Sequence, residues 1–128
     1  MYPNEFSYTK DHEWLKLEGD EALVGVTDFA QHQLGDIIYV DLKPAGTKLE
    51  AHQALATIES VKSVADVFSP VAGEIVAVND ELAQTADLIN KDPHGKGWIA
   101  RIKVGDRKAV AGLMKAADYE KFLEGLEK

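Results

Sequence analysis

Along most of the chain, apolar residues come in short runs or alternate with polar ones, and only at its end do they adopt a helical period. Residues 22–26 form a compact apolar run, and residues 37–42 (Ile-Ile-Tyr-Val-Asp-Leu) are rich in the β-branched and aromatic side chains that suit a pleated surface. Residues 54–58, 65–68, 73–78 and 98–104 read in the same way. Glycines at 19, 35, 46, 73, 95, 97 and 105 punctuate them, as the turns of an antiparallel sandwich or barrel require. Residues 27–35 begin with capping side chains and end on Gly35, which predicts a short helix. Near the end, Tyr119, Phe122, Leu123 and Leu126 fall at i, i+3, i+4 and i+7, with Asp118 placed to cap and Val110, Leu113 and Met114 suggesting further turns upstream. That pattern predicts an amphipathic helix lying on the sheet.

The strand pattern repeats once. Residues 34–41 (Leu-Gly-Asp-Ile-Ile-Tyr-Val-Asp) are echoed by residues 72–79 (Ala-Gly-Glu-Ile-Val-Ala-Val-Asn). One pair of octets is modest support for two related β halves, but such halves would form a quasi-symmetric sandwich. Between them lies Glu59-Ser60-Val61-Lys62-Ser63.

Composition narrows the function classes. A chain of 128 residues suits one core rather than two ordinary domains. Its net charge of -8 repels phosphate backbones, which argues against nucleic-acid binding and favours partners with basic surfaces. It contains no cysteine, so disulfides, thiolate metal sites and cysteine nucleophiles are excluded, and any sulfur chemistry must come from a cofactor. Residues 1–10 lack a signal core or an arginine-rich transit pattern, and no apolar run approaches membrane-spanning length. A cytoplasmic protein without a membrane role is the expectation; a processed mitochondrial matrix protein would read alike.

Enzyme constellations are missing at the level of motifs. No two of His12, His32, His52 and His94 stand three or four residues apart, and His12-Glu13-Trp14-Leu15-Lys16 has a lysine where a zinc-protease motif needs its second histidine. Gly95-Lys96-Gly97 is too short for a phosphate loop, and there is no G-x-S-x-G elbow. Lys62 differs in its setting, because β-type runs lead into it and away from it and place it near a hairpin apex. Taken on spacing alone, it reads as an ordinary solvated lysine.

Residues 6–104 resemble the H proteins of the glycine cleavage system. The matching pieces occur in order: His12-Glu13-Trp14, Val24-Gly25-Val26-Thr27-Asp28, Leu34-Gly35-Asp36-Ile37-Ile38-Tyr39-Val40, Glu59-Ser60-Val61-Lys62-Ser63, Ser69-Pro70-Val71-Ala72-Gly73-Glu74, Leu88-Ile89-Asn90 and Gly97-Trp98. Biotin carriers place methionines on both sides of their lysine, and the lipoyl domains of 2-oxoacid dehydrogenases usually have Asp before it; here the neighbours are Val61 and Ser63. The resemblance implies a mainly β, lipoyl/biotinyl-type flattened barrel or sandwich (a barrel-sandwich hybrid) with a short helix in the N-terminal half and a C-terminal helix. It implies one lipoyl-carrier domain over residues 1–128, with a core at about 6–104 and a helical segment at about 106–127.

It further implies a non-catalytic, monomeric carrier with lipoic acid in amide linkage on Lys62, the hairpin residues Glu59, Ser60, Val61 and Ser63 serving recognition. The carrier would take the aminomethyl group of glycine from a pyridoxal-phosphate glycine decarboxylase to a tetrahydrofolate-dependent aminomethyltransferase. Dihydrolipoamide dehydrogenase would then reoxidise the dithiol, and lipoylation enzymes would install the group. Glu13 and Asp66 match the acids of a cleft that shelters the loaded arm, against the alternative of two solvated surface acids. Asp11 stands where a small hydroxyl residue is common, and Ala86 where a proline is common. His12 is expected to structure its loop, and Trp14 and Trp98 to be core or cleft walls. Two alternatives stay open from the residues: an H-like carrier serving lipoyl relay to other complexes, and an unmodified binding or scaffold module.

Overall fold

The computed structural model describes residues 2–127. In chain order its elements are β1 (Ser7–Tyr8), β2 (Glu13–Glu18), β3 (Glu21–Val26), α1 (Asp28–Leu34), β4 (Ile37–Leu42), β5 (Lys48–Leu49), β6 (Ala54–Ser60), β7 (Val64–Phe68), β8 (Gly73–Val78), a 3-10 turn at Asp80–Ala83, α2 (Leu88–Lys91), β9 (Ala100–Val104), α3 (Lys108–Ala111) and α4 (Ala116–Glu127). The strands form two sheets, one of order β1-β2-β3-β9-β8-β5 and one of order β4-β6-β7. Among the described residues the paired strands are all antiparallel. The mainly β sandwich expected from the sequence is the observed architecture. No helix among the described residues is long and apolar enough to cross a membrane.

Why the sheets stack follows from which side chains they turn inward. Leu15 of β2, Val24 of β3, Ile58 of β6, Ile75 of β8 and Ile102 of β9 are all essentially inaccessible and belong to one apolar cluster between the layers. The two echoed octets land on β4 and β8, in opposite sheets. Each strand carries an irregularity at the corresponding place, between Ile37 and Tyr39 in β4 and between Ile75 and Ala77 in β8. A bulge inserts one extra residue and increases the local twist, so matched bulges bend both halves alike.

A second, aromatic cluster lies under the C-terminal helix. Tyr119 of α4 stacks on Tyr8 with ring centroids 4.8 Å apart and an interplanar angle of 8°, and Phe6 stacks on Trp14 at 4.6 Å. Trp14 faces Gly25 across the β2–β3 ladder. A Cβ on Gly25 would stand 2.7 Å from the indole, so only glycine lets that ring lie down on the strand.

Several boundaries differ from the sequence reading. The run 98–104 becomes a strand only at Ala100, because Trp98 and Ile99 still belong to the connection from α2. The final helix begins at Ala116, two residues before Asp118, which therefore sits in its first turn beside the positive helix end rather than at the cap. The helical stretch at 106–127 is two helices, interrupted where Met114 makes an isolated bridge with Tyr8. The strands β1 and β2 were not anticipated. In β2, Glu-Trp-Leu-Lys-Leu-Glu, both faces are covered at its start, Leu15 by the core between the sheets and Trp14 by the aromatic cluster, so no simple inside–outside alternation marks the strand.

Candidate functional site

The β6–β7 connection is Val61-Lys62-Ser63, and its shape is set by one side chain. The Ser60 hydroxyl accepts hydrogen bonds from the backbone N–H of Lys62 (3.3 Å) and Ser63 (3.1 Å) and donates to the Ser63 carbonyl (3.2 Å). The Ser60 N–H also donates to the Ser63 carbonyl at 2.8 Å, and the Val61 N–H to the Asp36 carbonyl at 3.0 Å. Every N–H from Ser60 to Ser63 therefore has an acceptor, which holds the turn in one geometry without help from the lysine side chain. Lys62 itself is exposed and makes no ion pair among the described residues.

Lys62 lies along the end of α1. Gly35 follows that helix at φ +82°, and a Cβ there would come within 3.2 Å of Lys62 Cε, so the missing side chain is the space the lysine stem uses. Asn90 of α2 ties the neighbourhood together: it accepts from the Ile37 N–H and donates to Gln31 Oε1 and the Gly35 carbonyl, each at 2.9 Å. This role of Asn90 was not legible from the sequence, since its partners stand more than fifty positions away.

Beside the hairpin is a cleft of about 180 Å³. Its walls are Val26, Ala30, Leu34, Ile58, Ala65 and Val67, and its polar lining is Asp11, His12, Glu13, Gln33 and Asp66. The fold thus brings Glu13 and Asp66, 53 positions apart, to one apolar cleft next to the residue that precedes Gly35. The cleft forms because β7 is an edge strand of the smaller sheet, leaving a gap between it, α1 and the start of β2.

The two acids stand in opposite environments. Glu13 is only 2% exposed, accepts from the Thr9 hydroxyl at 2.7 Å, and accepts from the Phe68 N–H of β7 at 3.1 Å. Burial pushes its carboxyl from 4.5 up to about 7, against the opposing pull of those two hydrogen bonds, which favour the charged form. Asp66 is exposed on β7 and accepts from the Thr57 hydroxyl at 3.0 Å. The alternative of two solvated surface acids is therefore wrong for Glu13 and remains an accurate description of Asp66's exposure. Trp14 is a core residue, its Nε1 donating to the Pro93 carbonyl at 2.9 Å, and neither Trp14 nor Trp98 lines the cleft.

The comparisons bear on this whole arrangement. Residues 6–126 match the family described as "Glycine cleavage H-protein". The chain belongs to that family. The chain is 54% identical over 123 residues to the glycine cleavage system H protein of Chlorobium limicola, a match spanning 94% of this chain and 96% of that one. It is 45% identical over 124 residues to that of Bacteroides thetaiotaomicron, covering 97% and 98% of the two chains. Among solved structures, the crystal structure of a glycine cleavage system H protein from Mycobacterium marinum superposes with a TM-score of 0.87 at 33% identity, covering 96% of this chain and 99% of that one.

The lysine hairpin is also flanked by exposed apolar side chains. Four large apolar side chains, Ile38, Tyr39, Val61 and Val64, are more than half exposed, and all lie on or beside the lysine hairpin. Register explains part of this, because Tyr39, Glu59 and Val64 form one cross-strand row of the smaller sheet.

Proposed function

We propose that the protein is a lipoyl carrier of glycine cleavage, with the group in amide linkage on Lys62 and residues 1–128 acting as one carrier domain. The observation that carries this reading is the setting of Lys62: an exposed amine on a fully hydrogen-bonded turn, within the family sequence Glu59-Ser60-Val61-Lys62-Ser63, beside a small acid-containing cleft.

The residues fit the group on physical grounds. Amide formation removes the charge of an amine that has no ion pair among the described residues, and the apolar walls of the adjoining cleft suit the hydrocarbon of an attached arm. When bound, the group supplies a disulfide–dithiol pair, chemistry that a chain without cysteine has no other source for. A lysine amine does not condense with a free carboxylic acid unaided, so attachment needs enzymes that recognise the turn. Ser60 supports that recognition by holding the backbone of Lys62 and Ser63 in place, which avoids an ordering penalty on docking.

Glu13 and Asp66 give the cleft its electrostatics. A cationic amine brought into the cleft meets the exposed Asp66 and the buried Glu13, whose carboxyl is pushed up to about 7. The cation favours the ionised form of Glu13 and drives its proton off, so retention of an amine strengthens as pH rises towards about 7 and levels off above it. Apolar walls keep water from that position.

The partners in this reading are a pyridoxal-phosphate glycine decarboxylase, a tetrahydrofolate-dependent aminomethyltransferase, dihydrolipoamide dehydrogenase and the attachment enzymes. A monomer in the cytoplasm, contributing presentation rather than catalysis, completes the proposal. Reconstituted exchange of bicarbonate into glycine with the decarboxylase tests it. Exchange that requires lipoylated protein and disappears in Lys62→Ala supports the assignment; no exchange with fully lipoylated protein overturns it.

A further inference from the structure

His12 stands at the tip of the turn that carries Glu13, in a left-handed conformation with φ +70° that few non-glycine residues adopt. Its N–H donates to the Thr9 carbonyl at 3.1 Å and its carbonyl accepts from the Thr27 N–H at 2.9 Å, so it joins the turn to the start of α1. The imidazole lies 4.6 Å from the Phe29 ring and 5.9 Å from those of Tyr119 and Phe122, all centroid to centroid. Its Nδ1 is 2.9 Å from the Tyr119 hydroxyl, which in turn is 2.7 Å from Thr27 Oγ1.

The direction of this chain of bonds can be worked out. Thr27 Oγ1 caps α1 by accepting from the Ala30 N–H at 3.3 Å. Thr27 is completely buried, and among the described residues the Tyr119 oxygen is the one acceptor bonded to its hydroxyl. A buried hydroxyl left without an acceptor is costly, so Thr27 donates to Tyr119. The single Tyr119 proton is then free to go to His12 Nδ1, which must accept it. The opposite direction would leave the Thr27 proton unsatisfied.

We propose that Tyr119 of α4 is a positioning residue of the cleft, fixing His12 as the neutral Nε2–H tautomer and thereby keeping a positive charge away from the wall it shares with Glu13. The proposal rests on the reading that the cleft receives a cationic amine, for which a protonated His12 would be a like charge. Burial reinforces the neutral state by pushing the imidazole below its ordinary range, while Asp11 on the same turn pulls the other way. The elements packed on the ring bring uncharged groups to it: α1 contributes Phe29, and α4 contributes Phe122 and the Tyr119 hydroxyl. Asp11 and Glu13, its chain neighbours, and Asp66 of β7 line the same cleft. The C-terminal helix, which does not line the cleft, thus controls its charge through one hydroxyl.

The test is histidine long-range ¹H–¹⁵N correlation on the full-length, unmodified chain across pH 5 to 8, a measurement that needs neither lipoylation nor partners. The expected result is His12 with Nδ1 unprotonated and Nε2 protonated throughout the range in which the ring is neutral. Tyr119→Phe should lose that bias, giving mixed tautomers, and should raise the midpoint of His12 titration. His12→Asn, whose Oδ1 can take the Tyr119 proton and which tolerates the left-handed backbone, should keep the thermal midpoint close to that of the parent chain. If Tyr119→Phe fails to fold, Thr27→Val provides the second reading: the tautomer should survive, because the Tyr119 proton still has His12 as its acceptor. A protonated Nδ1 in the neutral parent chain overturns the inference, as does an unchanged tautomer and midpoint in Tyr119→Phe. Failure of Lys62 to be lipoylated would instead overturn the carrier reading and leave these spectra as they are.

Discussion

Glu13 shows how one residue's surroundings alter what its identity suggests. Its carboxyl ionises near 7 in the fold and near 4.5 when exposed, so the folded chain holds a proton that the unfolded chain has already lost between those values. That difference makes stability fall as pH rises from about 4.5 to about 7, by on the order of 3 kcal/mol, after which the contribution is constant. Urea unfolding of the parent chain and Glu13→Gln at pH 5 and pH 8 checks the sign: the variant should narrow or reverse the deficit at pH 8. A parent chain that gains on the variant with rising pH contradicts the burial account. Ser60→Ala removes the acceptor of two backbone donors in the lysine turn and should cost about 1 kcal/mol, read as a lower urea midpoint, and slow modification of Lys62. The family sequence around Lys62 was legible because it is local. The burial of Glu13 was not, because the Phe68 N–H that it meets lies 55 positions away.

Elements carry the next layer. Thr27 caps α1, and that helix supplies Ala30, Gln33 and Leu34 to the cleft before ending at the Gly35 against which Lys62 lies. Thr27→Ala should lower stability by about 1–2 kcal/mol through the lost cap, again measured by urea unfolding. Gly25→Ala should be worse than an exposed substitution, because the new methyl meets the Trp14 indole at 2.7 Å and either β2 or the ring has to move; a loss of about 1–3 kcal/mol is expected in the same assay. The short α1 was readable from its capping chemistry and terminal glycine. The two-residue strands β1 and β5 were not, since two residues carry no period and exist only through their ladder partners. The internal repeat was readable as an echo of residues, while its content, a bulge at the same place in opposite sheets, belongs to the pairing.

At the scale of the molecule, topology and charge decide what can approach Lys62. The smaller sheet ends at β7, so its edge and the start of β2 frame the cleft, while exposed Ile38, Tyr39, Val61 and Val64 surround the Lys62 turn. With a net charge of -8, association with enzymes presenting basic surfaces should slow as ionic strength rises, since screening at 0.1 M salt confines exposed charges to about 10 Å. Stopped-flow association with the glycine decarboxylase at several salt concentrations checks this, and a rate independent of salt contradicts it. The mainly β class could be read from apolar runs and glycine spacing, but sheet order joins strands distant in sequence and was open until the fold was known. The central claim is the covalent group on Lys62, and peptide-level mass spectrometry of the natively expressed chain tests it most directly. The account predicts a lipoyl mass increment on the peptide that contains Lys62, absent from Lys62→Ala; an unmodified Lys62 in cells with active lipoylation, or an increment on another lysine, would contradict it.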